Sequence, residues 1–338
     1  LVRQVFKIPI LLFLISCTTV ENSKPTIVKT VSFPNSEKFK ELLETDIEDT
    51  FNGINEKKKV LTSGSISTLK LIDSDLWIGK LGGELLRYNI YTGDLKVFLE
   101  DEYTIKDFSI KKIIDNNNKI LVLQSDRVLE INKKNDKIYT HIFRNEISRA
   151  TDIVFHNGIL YISTLGYGLW SFDTNNNIFR KINLNDEYIS TLFINDNNLY
   201  IGSMRQGLYI YNIEKDIFLS RTKLPIQLFN KNILDIKMLN NVFWIGSAKR
   251  GLIKWNIEDN SVEVIYPDLS VSSIALSNNI KVVSFIGDGL YVEIENRNYF
   301  ESIDTFLETN NITSIELYEK NIILGNIKKG VTVQEYNY

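Results

Sequence analysis

The stretch Leu76-Trp77-Ile78-Gly79-Lys80-Leu81-Gly82-Gly83-Glu84-Leu85-Leu86-Arg87-Tyr88-Asn89 decides the fold, because the chain keeps returning to it. Close copies begin at Leu160-Tyr161-Ile162-Ser163, Leu199-Tyr200-Ile201-Gly202 and Phe243-Trp244-Ile245-Gly246, and looser ones at Ile120, Lys281 and Asn321. Anchored at the first glycine position, the seven copies fall at Gly79, Leu123, Ser163, Gly202, Gly246, Ser284 and Gly325, with intervals of 44, 40, 39, 44, 38 and 41 residues. Such a period suits one four-stranded propeller blade per repeat.

Two further columns hold the same register. Ten residues before each anchor stand Leu69, Ile113, Ile153, Leu192, Ile236, Ile274 and Ile315, and thirteen before stand Ile66, Ile110, Ala150, Ile189, Ile233, Val271 and Ile312. Between the first two strands of a unit lie turn residues such as Asp73-Ser74-Asp75, His156-Asn157-Gly158 and Asn240-Asn241. Between the second and third, Gly168, Gly207, Gly251, Gly289 and Gly330 recur five residues after the anchor, where a hairpin needs positive φ. The remaining positions are rich in Ile, Val, Tyr, Phe and Trp, with no useful helical period. The expected fold is therefore all-β, a seven-bladed propeller over residues 56–338. Its last blade lacks a fourth strand of its own, and Lys59-Val60-Leu61-Thr62 is placed to supply it, which closes the ring and removes an open sheet edge.

The phrase Trp77-Ile78-Gly79 through Leu85-Leu86-Arg87-Tyr88-Asn89 resembles the propeller repeats of the sensor regions of bacterial two-component regulators. The resemblance covers about the last four fifths of the chain and implies a fold, not an activity. Leu123, Ser163 and Ser284 depart from it at the anchor, and Glu84 at the later glycine. In that family a membrane span and a kinase follow the propeller; none follows Tyr338 here, so the signalling role is not expected to carry over.

The N-terminus carries the second signal. Arg3 and Lys7 precede the apolar run Ile8 to Ile15, too short to span a bilayer, and Leu14-Ile15-Ser16-Cys17 follows. This reads as an export signal over residues 1–16. Leu-Ile-Ser-Cys also resembles a bacterial lipobox, which implies that Cys17, the only cysteine, is diacylated and anchors the mature chain in a membrane. Two acyl chains anchor stably where one is marginal. Residues 17–34, polar with Pro25 and Pro34, read as a tether, and residues 35–55 as a short helical segment with Phe39, Leu42 and Leu43 on one face.

Composition narrows the function classes. With 43% apolar residues and a net charge of −3, the chain can bury a large core and is poorly suited to nucleic acid. His141 and His156 are the only histidines and fall in different blades, one in an outer strand and one in a turn, so no metal or His-based catalytic site is expected. Asp107, Asp152 and Asp235 lie near inner strands and are the carboxylates best placed for channel chemistry; the favoured reading is that they bond a neighbouring strand as the Thr and Ser of other blades would. The four tryptophans do not share one blade position, and no cofactor is implied.

Surfaces remain. The hairpins between second and third strands carry Lys80, Arg127, Arg205, Lys249, Arg250, Lys328 and Lys329, and the loops between blades carry acidic residues such as Asp186, Glu187 and Asp268. On a propeller both emerge on one face, and the mixture suits choosing a protein partner. The loop around Pro225 adds Leu224, Ile226, Leu228 and Phe229, which offer an apolar contact unless Leu228 and Phe229 fold back over the blade edge. The expectation is a non-enzymatic lipoprotein scaffold of the bacterial envelope, on the periplasmic side of the outer membrane, with an envelope protein partner that could be an integral outer-membrane β-barrel. In layout it resembles the propeller lipoprotein of the β-barrel assembly machinery. The alternatives are a ligand- or host-protein-binding module and, behind it, a channel-centred lyase or hydrolase.

Overall fold

The computed structural model describes residues 64–99, 108–143, 147–294 and 311–335, together with the strand placements of Thr50–Phe51, Ile54–Asn55, Lys58–Thr62 and Arg297–Ser302. Seven four-stranded antiparallel sheets make up the ring. Blade three shows the pattern: Ala150–His156, Ile159–Thr164, Leu169–Asp173 and Ile178–Ile182 run inner to outer in chain order. In the seventh blade Ile312–Tyr318, Asn321–Asn326 and Gly330–Glu335 are completed by Lys58–Thr62, with Val60 opposite Thr332. The ring thus closes by the pairing of the two ends that the sequence suggested.

Every residue of both apolar columns is buried, none more than 4% exposed, because each blade packs its faces against two neighbours. The anchor lies opposite the residue eleven positions before it, as Gly79 does opposite Thr68 and Ser163 opposite Asp152. Its glycine is required by close approach between blades. A Cβ on Gly79 would sit 2.6 Å from Ile110 of the next blade, and one on Gly325 would sit 2.7 Å from Ile66. Positive φ is needed elsewhere, at the hairpin glycines such as Gly207 (87°) and Gly168 (82°) and at the turn residues Asp73, Asn117, Asn157 and Asp196.

Six inner strands carry a bulge one residue after their first, at Ser67, Thr151, Ser190, Leu234, Ser272 and Thr313. A bulge turns a side chain away from the regular pleat. Here it lets hydroxyls reach the next blade: Thr151 donates to the Ile189 carbonyl at 2.8 Å and Thr313 to that of Ile66 at 2.9 Å. This second set of interblade bonds has no counterpart in the repeat reading.

Two expectations need correction. Thr50–Phe51 and Ile54–Asn55, inside the segment read as helical, are short strands that pair antiparallel. His156 ends an inner strand and is not itself in the turn. The signal segment, Cys17, the tether, the residues from Ser36 to Glu44 and Asp107 lie outside the described residues.

Candidate binding face and channel

The inner strands enclose a channel of about 500 Å³, lined by hydroxyls and by charged residues including Lys70, Lys112, Asp115, Asp152, Asp235, Lys237 and Glu316. The carboxylates are already engaged. Asp152 accepts from the Leu192 amide and the Thr191 hydroxyl of the next blade, both at 3.0 Å, and pairs with Lys112 at 3.1 Å. Asp235 accepts from the Ile274 amide at 2.9 Å and pairs with Lys237 at 3.1 Å. Ser314, in the same repeat position, accepts from the Leu69 amide at 3.0 Å across the seam where the chain ends meet. Glu316 pairs with Lys70 at 3.4 Å and Asp115 with Lys133 at 2.7 Å. Desolvation works against the Lys237 charge, but Asp235, Asp152 and Glu316 outweigh it and hold its pKa above the ordinary lysine value.

Above this lies a second cavity of about 370 Å³, lined largely by apolar groups of blades five to seven, among them Leu234, Val271, Ile286, Ile312 and Ile327. It opens on the face that carries the hairpins between second and third strands. In most blades that hairpin is tied to the start of its own inner strand, as in Ile286 N–H to Ser270 O at 2.7 Å and Ile327 N–H to Asn311 O at 3.1 Å. The sequence columns did not single out this mouth, although residues two after the anchor (Leu81, Leu165, Met204, Ala248, Ile286, Ile327) are apolar in six of the seven repeats.

The cations expected at the hairpin tips divide by blade. Lys80 pairs with Glu84, Arg127 with Asp126 at 2.7 Å, and on the rim of blade three Lys181 with Glu187 at 3.5 Å. Arg205, Lys249, Arg250 and Lys328 have no carboxylate partner among the described residues, and the first three are exposed with Lys328. Arg205 lies over the Tyr188 ring at 4.0 Å. Lys329 is half-buried with contacts of its own.

The loop around Pro225 takes the inward course for most of its apolar residues. It forms two single 3₁₀ turns, Arg221–Lys223 and Ile226–Leu228. Leu228 is fully buried, the fold-back course the sequence allowed, and Leu224 is half-buried against the same cluster. Phe229 is half-buried beneath Arg221, whose guanidinium lies 4.8 Å from that ring and 4.4 Å from Tyr209. Ile226, 77% exposed, is the one of the four that stands in solvent. Arg221, which the repeats do not mark, braces the loop by donating to the Gln206 carbonyl.

His141 sits 3.6 Å from Glu130 and 5.6 Å, edge on, from the Phe172 ring. Among the described residues there is no group of three or more His, Cys, Asp or Glu able to hold a metal, and no helix long and apolar enough to cross a membrane.

No protein-family model and no curated protein matches the chain. Solved structures do match. The extracellular domain of BT4673 from B. thetaiotaomicron, assigned to the hybrid two-component systems, superposes with a TM-score of 0.66 at 19% identity over 82% of this chain and 39% of that one. The extracellular domain of BT3049 from the same organism, also assigned to those systems, gives 0.64 at 16% identity over 81% and 40%. The WD40 domain of Neurospora crassa Pan2 gives 0.65 at 11% identity over 86% and 98%. At such identities the likeness shows the propeller fold. This chain spans about two fifths of the length of the two bacterial ones.

Proposed function

We propose that this chain is a non-enzymatic binding propeller of the bacterial envelope, anchored through a lipid on Cys17, whose hairpin face docks a protein partner. The observation that carries the reading is the set of exposed cations Arg205, Lys249, Arg250 and Lys328, without a carboxylate partner among the described residues, on blades four, five and seven of one face, beside the exposed Ile226. Charge arranged in this way steers and orients a partner. The commitment of Asp115, Asp152, Asp235 and Glu316 to lysines and strand amides supports a channel that holds the ring together over one that performs chemistry. The lipobox-like Leu14-Ile15-Ser16-Cys17 and the likeness to extracellular bacterial propellers support a place outside the cytoplasm. An integral outer-membrane β-barrel is the favoured partner.

The test is extraction of the native protein in mild detergent after labelling cells with an alkyne fatty acid. The reading expects label on the wild type and none on Cys17→Ser, with an envelope protein copurifying near stoichiometry and lost from a Lys249→Glu/Arg250→Glu variant. Absence of label, or a partner indifferent to those charges, contradicts it. The open channel of about 500 Å³ favours a second reading, a small-ligand module, which retention of a solute with no protein partner would support.

A further inference from the structure

Building on the docking role proposed above, we infer that the partner inserts an apolar side chain into the channel mouth between blades five and seven, and that this side chain belongs to an acidic segment of that protein. The mouth is walled by Leu234, Val271, Ile286, Ile312 and Ile327, and Ile286 is 47% exposed at its rim. A volume of about 370 Å³ lies at the small end of ligand pockets, which run roughly 300–1,000 Å³, and suits one or two side chains.

The chemistry of the occupant follows from what surrounds the pocket. Lys328 directly follows Ile327 of the wall. Lys249 donates its backbone N–H to the Ser270 hydroxyl at 2.9 Å, which holds that tip beside Val271, and Arg250 is next in the chain. Lys249, Arg250 and Lys328 are exposed and without a carboxylate partner among the described residues, whereas Lys80, Arg127 and Lys181 on the first three blades are each neutralised within their own blade. An apolar hole framed on two flanking tips by cations that no described carboxylate neutralises fits an apolar anchor with carboxylates on either side. An exposed Asp288 in the hairpin of blade six, between the two basic tips, sets where those carboxylates avoid contact.

Fluorescence polarisation with fluorescein-labelled synthetic peptides tests the inference: a Leu-Phe pair flanked by Asp and Glu, the same peptide with Ala-Ala at the centre, and one with Asn and Gln flanks. The first peptide should bind best. Replacing its centre or its flanks should weaken binding about tenfold each, on the scale of burying one large apolar side chain or losing close charge pairs. Ile286→Ser/Ile327→Ser and Lys249→Glu/Lys328→Glu proteins, checked for folding by circular dichroism, should lose binding to the same extent, while Lys215→Glu, in a turn of the opposite face, should not. Equal binding of the three peptides, no binding of any, or displacement of the peptide by phosphatidylglycerol vesicles that bind without Ile286 and Ile327, would each overturn it. If the native partner still copurifies with the Ile286→Ser/Ile327→Ser variant, this pocket is excluded while the docking reading stands; if no partner copurifies with the wild type, the docking reading itself fails.

Discussion

Leu123 occupies an anchor position where four other blades have glycine, and the residue it faces explains how. In the four blades with glycine the anchor packs against Ile or Val from the start of the next inner strand, and at Gly202 a Cβ would lie 2.8 Å from Ile233. The partner of Leu123 is Ala150, the one small residue of that column, and both are buried in the same cluster. Size has moved from one side of the seam to the other. Gly79→Leu should therefore overpack its seam and cost about 1–3 kcal/mol. Adding Ile110→Ala should recover much of that loss in a urea unfolding cycle, whereas purely additive effects would refute size exchange. Asp152 makes a different prediction at this scale. Asp152→Ala strands the Leu192 amide and the Lys112 ammonium and should cost about 2–3 kcal/mol, with Asp152→Ser, the residue type of blades six and seven, costing less.

Between elements, the blades are tied by charge as well as by packing. Arg180 on the outer strand of blade three pairs with Asp216 in a turn of blade four at 2.8 Å, and Tyr211 donates to the same carboxylate. The bond from Arg180, then that from Tyr211, holds Asp216 down to about 2. Burial and then Asp216 push Tyr211 up to about 12. A lowered carboxylate pKa adds stability above its unfolded value, near 3.9, and loses it as pH falls through the folded one. The thermal midpoint of Asp216→Asn should thus trail the wild type above pH 4 and converge with it between about pH 4 and 2; an offset that persists unchanged at pH 2 would contradict the linkage. The repeat made strands, turns and hairpin glycines legible because period, burial and φ all act on single columns. It did not reveal the bulges at Thr151 or Thr313, since Ser and Thr there look like ordinary strand residues until a neighbouring strand is in place. Nor could it settle the loop around Pro225: whether Leu228 turns in depends on the cavity left beside Phe243 and Tyr200, which belong to a different part of the chain. The channel mouth stayed hidden for a related reason, being built from a few residues each of several neighbouring blades.

As a whole molecule the ring depends on the pairing of Lys58–Thr62 with Gly330–Glu335. A chain begun at Ser65 should leave that edge of blade seven unpaired, lower the thermal midpoint and associate through the open edge, visible as larger species in size-exclusion chromatography with light scattering. A truncated chain that stays monomeric and equally stable would mean that closure contributes little. The same ring presents one face with exposed cations that no described carboxylate neutralises and a lined mouth, and the account of function rests on that face. It is tested most directly by placing a photoreactive amino acid at Lys328 or Arg250, or at Tyr91 on the opposite side, and irradiating the cells that make the protein. A discrete protein adduct from Lys328 and Arg250, absent from Tyr91, is the result predicted; adducts from Tyr91 with none from the hairpin tips would contradict it.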